Sequence, residues 1–197
     1  MKTLFLLIAG IILLPNFSFS QKSHDKAKSF TDYTFYIRNA QAGKVLDVAG
    51  YGLSATKKNG ANVHLWDLDK GIDQRFKFVP AGNGYYFIRF QHTNSNLDVS
   101  GCFDGKLFCK TYKKDKGANV QMWKAGNSQP QQWKIEKISY QAYKITNRYS
   151  GKVLDASASH IKENGCNVLQ WTWKASDNQL WELIDAKTNK LYNKQIK

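Results

Sequence analysis

The chain has 197 residues, 14% of them aromatic, and a formal net charge of +14. That length is enough for one domain with a real core, and the lysine excess favours acidic partners at long range. After the N-terminal segment no stretch is apolar enough to cross a membrane, and no charge-run motif marks a nucleic-acid tail, so membrane insertion and nucleic-acid binding are not expected.

Residues 1–20 form a separate object. Lys2 precedes an apolar run from Leu4 to Leu14, then Pro15, then Ser18 and Ser20 at small-residue cleavage spacing. This pattern predicts a secretory signal peptide cut before Gln21. The apolar run is too short to span a bilayer of ~30 Å as a helix. With no Cys at the cut, a lipid anchor is not expected either. The mature protein is expected to be exported and soluble, in the extracellular space or a periplasm. Residues 21–32, polar and Lys-rich, read as a linker.

A repeated phrase organises residues 33–185. Gly60-Ala61-Asn62-Val63-His64-Leu65-Trp66 returns as Gly117-Ala118-Asn119-Val120-Gln121-Met122-Trp123 and as Gly165-Cys166-Asn167-Val168-Leu169-Gln170-Trp171. Each copy is followed, eight residues after its Trp, by Gln74, Gln131 or Gln179, with Phe76, Trp133 or Trp181 two further on. Each is preceded by a Leu-Asp pair: Leu46-Asp47, Leu97-Asp98 and Leu154-Asp155. Asn62 to Asp98 and Asn119 to Asp155 are both 36 residues, so the chain is three copies of one unit. Within the first unit Tyr36–Asn39, Val45–Val48, Val63–Trp66 and Phe76–Val79 alternate or are short and apolar, with turn residues between them. Four short strands per unit, twelve in all, predict an all-β fold. Alternation puts Val63 and Leu65 on one face and His64 and Trp66 on the other.

The second unit departs in one place. Asp98 and Asn119 are 21 residues apart, against 15 and 12 in the other copies. The extra length holds Cys102, Cys109 and the Asp104-Gly105 turn, then a basic cluster of Lys110, Lys113, Lys114 and Lys116. Cys102 and Cys109 could face one another across that turn, and in an oxidising compartment they are expected to bridge. Cys166 occupies the small-residue slot of Ala61 and Ala118, so it is expected to stay free. Residues 186–197 read as a mobile basic tail.

Three in-register copies of Gly-x-Asn-Val-x-x-Trp and Gln-x-aromatic resemble the ricin B-type lectin family over residues 33–185. The resemblance implies a β-trefoil: three four-stranded lobes forming a six-stranded barrel with a hairpin cap. It also implies a sugar site in each lobe, where the Asp accepts from two hydroxyls, the outward aromatic stacks on the ring and an Asn-Gln pair donates or braces the Asp. On this chain the sets are Asp47, His64, Trp66, Asp73 and Gln74; Asp98, Gln121, Trp123 and Gln131; and Asp155, Trp171, Asn178 and Gln179. Phe76, Trp133 and Trp181 match the buried aromatic. His64 stands where the family usually has Gln, and Asp73 where it has Asn. Pro130 and Leu169 each delete a polar group, so the first lobe is expected to bind best.

Catalysis has little to stand on. The chain has no nucleophile elbow, paired-His helix or phosphate loop, and its Asp residues recur once per unit, not as a facing pair. No cofactor or metal is called for. The sequence therefore predicts a secreted, non-catalytic carbohydrate-binding protein. Its partners would be polysaccharide or glycoconjugate glycans, acidic ones included. An inhibitor or interaction module working through the 101–116 loop, and an accessory module of a polysaccharide-degrading system, are the alternatives.

Overall fold

The computed structural model describes residues 29–50, 59–101 and 114–196. The alternating segments become thirteen named strands. The first unit holds β1 (Phe35–Asn39), β2 (Val45–Val48), β3 (Ala61–Trp66) and β4 (Phe76–Gly82). The second holds β5 (Tyr85–Phe90), β6 (Ser95–Val99), β7 (Val120–Lys124) and β8 (Gln132–Lys137). The third holds β9 (Tyr143–Asn147), β10 (Val153–Ala156), β11 (Cys166–Trp171) and β12 (Trp181–Asp185), followed by β13 (Leu191–Tyr192). A single 3-10 turn precedes β4, β8 and β12 and carries the brace glutamine: Ile72–Gln74, Gln129–Gln131 and Asp177–Gln179.

Six strands pair antiparallel in an unbroken ring, β1 to β4, β5, β8, β9, β12 and back to β1. Closure leaves this barrel no free edge. The three lobes meet at equivalent aromatic pairs: Phe35 opposite Phe76, Tyr86 opposite Trp133, and Tyr143 opposite Trp181. Phe76, Trp133 and Trp181 are all at 0% exposure, and the two tryptophans also donate their indole N–H to the carbonyls of Leu97 and Leu154 at 3.0 Å. The expected inward aromatics are therefore buried and, where they are Trp, hydrogen-bonded. This is the β-trefoil that the repeats implied.

Six further strands form the hairpins β2–β3, β6–β7 and β10–β11, which cap one end. At the pseudo-threefold axis the motif asparagines close a ring. Asn119 Nδ2 donates to Asn62 Oδ1 at 2.9 Å, Asn62 Nδ2 to Asn167 Oδ1 at 3.0 Å, and Asn167 Nδ2 to Asn119 Oδ1 at 2.9 Å. Each amide both gives and takes one hydrogen bond, so the three side chains pair with one another. The preceding glycines, Gly60, Gly117 and Gly165, have φ of 84–89° and donate to the neighbouring hairpin at Met122, Gln170 and Leu65. A side chain at that φ would be strained, which accounts for Gly in all three copies.

Two boundaries differ from expectation. Residues 29–32 are not merely linker: Phe30 starts a 3-10 turn and packs its ring 4.5 Å from Phe78. The 186–197 segment is not simply a loose tail, because β13 pairs with β12 and Tyr192 is buried against Phe30 and Phe35. The barrel end opposite the cap would otherwise expose the aromatic core, and these residues cover it. Cys166 is buried and unbridged, with Sγ 3.2 Å from the carbonyl of Ser157, and burial pushes its thiol pKa up. The expected signal peptide and the expected Cys102–Cys109 bridge lie outside the described residues.

Candidate carbohydrate-binding sites

Register brings each expected set together. Across the cap hairpins Asp47 faces His64, Asp98 faces Gln121 and Asp155 faces Leu169, while the outward tryptophans pair two residues along with Val45, Asn96 and Val153. Alternation then leaves the Trp rings outside. Trp66 is 36% and Trp123 38% exposed, and Trp171 is half-buried. Its six-membered ring edge lies against Gly117 of the preceding lobe, where a Cβ would come within 3.4 Å of it.

The glutamines act as braces. Gln74 Nε2 donates to Asp47 Oδ2 at 3.0 Å and to the Asp67 carbonyl at 2.9 Å. Gln179 Nε2 donates to Asp155 Oδ2 at 2.7 Å and to the Thr172 carbonyl at 2.9 Å. Gln131 Nε2 donates to the Lys124 carbonyl at 3.1 Å, and its Oε1 accepts from Asn96 Nδ2 at 3.0 Å. All three are buried. All three fix where the chain leaves the Trp strand, and Gln74 and Gln179 also fix where the carboxylate points. The turns holding them are tied down from the next lobe, for Asn147 Nδ2 donates to the Pro130 carbonyl and Asn39 Nδ2 to the Asn178 carbonyl.

The carboxylates then differ by lobe. Asp155 receives Asn178 Nδ2 on Oδ1 at 3.0 Å and Gln179 on Oδ2. Burial raises its pKa, and those two amides pull it back. In the first lobe, Asp73 has no amide with which to do what Asn178 does. His64 takes that place, with Nε2 3.0 Å from Asp47 Oδ1 and its ring stacked 5.3 Å from Trp66. Asp73 is a polar substitute in name only. Its own pKa is raised, first by burial and then by the charge of Asp47. In the second lobe Pro130 supplies no donor. Asp98 is 2% exposed, Oδ2 has no partner among the described residues, and burial pushes its pKa up to about 6 despite Gln131 and Gln121.

Around Asp155 the chain forms a pocket of about 380 Å³, lined by Ser157, Leu169, Trp171, Lys174, Asn178 and Gln179 among others. Apolar and aromatic surface beside a few fixed polar groups is what a sugar ring needs: stacking for its C–H face, fixed acceptors and donors for its hydroxyls. Leu169 lines this pocket at the strand position from which His64 reaches Asp47 in the first lobe. Sequence reasoning missed Ser157 and Lys174, which belong to no motif; only counting back five residues from the brace glutamine finds Lys174.

The sequence profile of the family described as ricin-type beta-trefoil lectin domain-like matches residues 17–106, 109–171 and 141–195. The chain belongs to this family. Among solved structures it is similar to ThreeFoil, a designed 3-fold symmetric protein, with 30% identity and a TM-score of 0.66 over 77% of this chain and 98% of that one. An exo-beta-1,3-galactanase from Clostridium thermocellum is matched at 27% identity and a TM-score of 0.66, covering 78% of this chain but only 30% of the galactanase. A ricin B-like lectin from Macrolepiota procera, solved in complex with lactose, shares the fold at 20% identity and a TM-score of 0.60, over 80% of this chain and 97% of the lectin. No curated protein matches the chain in a sequence search. Membership of this lectin family and the lectin-like fold together support carbohydrate binding.

Proposed function

We propose that this is an exported, non-catalytic lectin that holds glycan at up to three shallow sites, one per lobe. The observation that carries the reading is a buried carboxylate beside an outward Trp, present three times: Asp47 with Trp66, Asp98 with Trp123, and Asp155 with Trp171, the first and third braced by a glutamine amide. Asp47, Asp98 and Asp155 stand one per lobe on separate hairpins, not as a pair of carboxyls facing one substrate. The matched 30% of the galactanase is compatible with an accessory module in a larger system. In the third lobe Asn178 does for Asp155 what His64 does for Asp47 in the first.

Single shallow sites of this kind bind at about millimolar, or −4 kcal/mol, and three on one rigid body gain apparent affinity on clustered glycan. The mature chain should be retained on immobilised polysaccharide and eluted by free saccharide, without releasing reducing sugar. Retention that no saccharide relieves would overturn the lectin reading in favour of a protein-directed role. Release of new reducing ends would overturn the non-catalytic part.

A further inference from the structure

The brace glutamines reveal a difference that the repeated motif conceals. Gln74 Oε1 accepts from the backbone N–H of Asp69 at 3.1 Å, Gln131 Oε1 from Gly126 at 2.9 Å, and Gln179 Oε1 from Lys174 at 2.7 Å. Each donor lies five residues before its Gln and three after its outward Trp. One hydrogen bond thus holds Asp69, Gly126 and Lys174 in equivalent places at the rims of the three sites. Their side chains are negative, absent and positive.

A second rim position repeats the pattern. The residue before each motif glycine reaches the end of a neighbouring Trp strand. Asn164 Oδ1 accepts from Asp67 N at 2.9 Å beside Trp66, and Asn59 Oδ1 accepts from Lys124 N at 2.7 Å beside Trp123. At the third site this residue is Lys116, whose ammonium stands 5.4 Å from the Trp171 ring centroid. The third site is therefore flanked by two lysines at positions that hold Asp69 and Asn164 around the first. The first rim carries further negative charge in Asp67 and Asp73, offset in part by the Lys44–Asp67 ion pair at 2.5 Å. Inside the third pocket Asp155 is held by Asn178 and Gln179, one on each oxygen, and Lys174 stabilises its negative charge.

We propose that the third-lobe pocket selects sugars bearing an anionic substituent, a carboxylate or a sulfate, through Lys174 and Lys116, while the first-lobe site disfavours them. The proposal rests on the glycan-binding reading above. A ring stacked on Trp171 with hydroxyls toward Asp155 and Asn178 directs one substituent to the rim, where the two ammonium groups lie. An exposed ion pair contributes about two- to fivefold in affinity, so two lysines give roughly tenfold, and added salt erodes it.

The test is an NMR titration of the mature chain that follows the indole N–H signals of its six tryptophans. A Trp171→Phe variant assigns the reporter. The probes are galactose, galacturonate and galactose 6-sulfate, with glucose and glucuronate as a second pair. Each anion should move the Trp171 signal at roughly tenfold lower concentration than its neutral parent, and should not gain at Trp66. Lys174→Asp, which installs the first lobe's residue, should abolish the preference for each anion over its neutral parent at Trp171. Asp69→Lys should create a preference at Trp66. Equal titration of neutral and anionic sugars at Trp171, or a preference that survives Lys174→Asp, would overturn the charge selection and leave the lectin reading standing. If none of these sugars moves any indole signal, the lectin reading falls and this proposal with it.

Discussion

Asp98 offers the sharpest perturbation. It is 2% exposed, one oxygen lacks a partner among the described residues, and its pKa rises from 3.8 to about 6 because burial disfavours the charge. In the unfolded chain the carboxyl returns to its ordinary value. Between about pH 4 and pH 6 the folded protein therefore binds more protons than the unfolded one, and stability falls as pH rises through that window. Above it the folded state carries the full cost of a buried charge. Two pKa units correspond to about 3 kcal/mol at 1.36 kcal/mol per unit. Asp98→Asn keeps the shape and removes the charge. It should stabilise the protein by on the order of 1–3 kcal/mol at pH 8, the lower figure allowing for an amide that is imperfectly paired. For a chain of this length that is a rise in Tm of about 3–8 °C. At pH 4, where Asp98 is largely protonated in the wild type, the gain should vanish. Asp73 and Asp155 shift the same way, and Asp67 and Glu136 oppositely, so only the difference between variant and wild type isolates Asp98. Thermal melts of both proteins at half-unit steps from pH 4 to pH 8 give the answer. A difference in Tm that is independent of pH, or an Asn variant that is less stable at pH 8, would refute the reasoning.

Other expectations follow from the same geometry. Trp181→Ala should lose about 3–5 kcal/mol in urea denaturation, whereas Trp66→Ala, already 36% exposed, should lose much less; equal losses would show the inward and outward assignments to be wrong. Asn62→Ala opens the three-asparagine ring, orphans one donor on Asn119's side and one acceptor on Asn167's, and should cost about 1–3 kcal/mol; a neutral result by chemical denaturation would mean that water already serves those groups. Truncation before residue 186 removes β13 and Tyr192 and should lower Tm by several degrees while increasing dye binding to exposed apolar surface; an unchanged melt would restore the picture of a loose tail.

The barrel and cap were legible because each fact was stated three times over. One Gln-x-Trp could be chance, but a fixed eight-residue interval repeated in register with three Leu-Asp pairs leaves little choice of architecture. Strand alternation likewise separated Trp66 and Trp123 from Trp133 and Trp181. Features that occur once were harder. Phe30 and Tyr192 stand alone in polar, lysine-rich surroundings, with no period to betray that the open barrel end would recruit them. Asp73 looked like a polar equivalent of Asn178, yet a carboxylate cannot donate to Asp47, and only the coordinates show His64 making that contact. The rim charges at Asp69 and Lys174 were invisible to motif reading because the backbone, not the side chain, occupies the repeated position.

The central claim is that three outward tryptophans beside buried carboxylates make this protein a glycan binder. A variant carrying Trp66→Ala, Trp123→Ala and Trp171→Ala removes all three stacking faces while leaving Asp47, Asp98, Asp155 and their glutamines in place. Wild type and variant should be compared on one glycan array, with circular dichroism and thermal melts confirming the shared fold. The wild type should bind a defined set of glycans and the folded triple variant none of them. Equal binding by a folded triple variant, or no glycan bound by the wild type at millimolar density, would contradict the account.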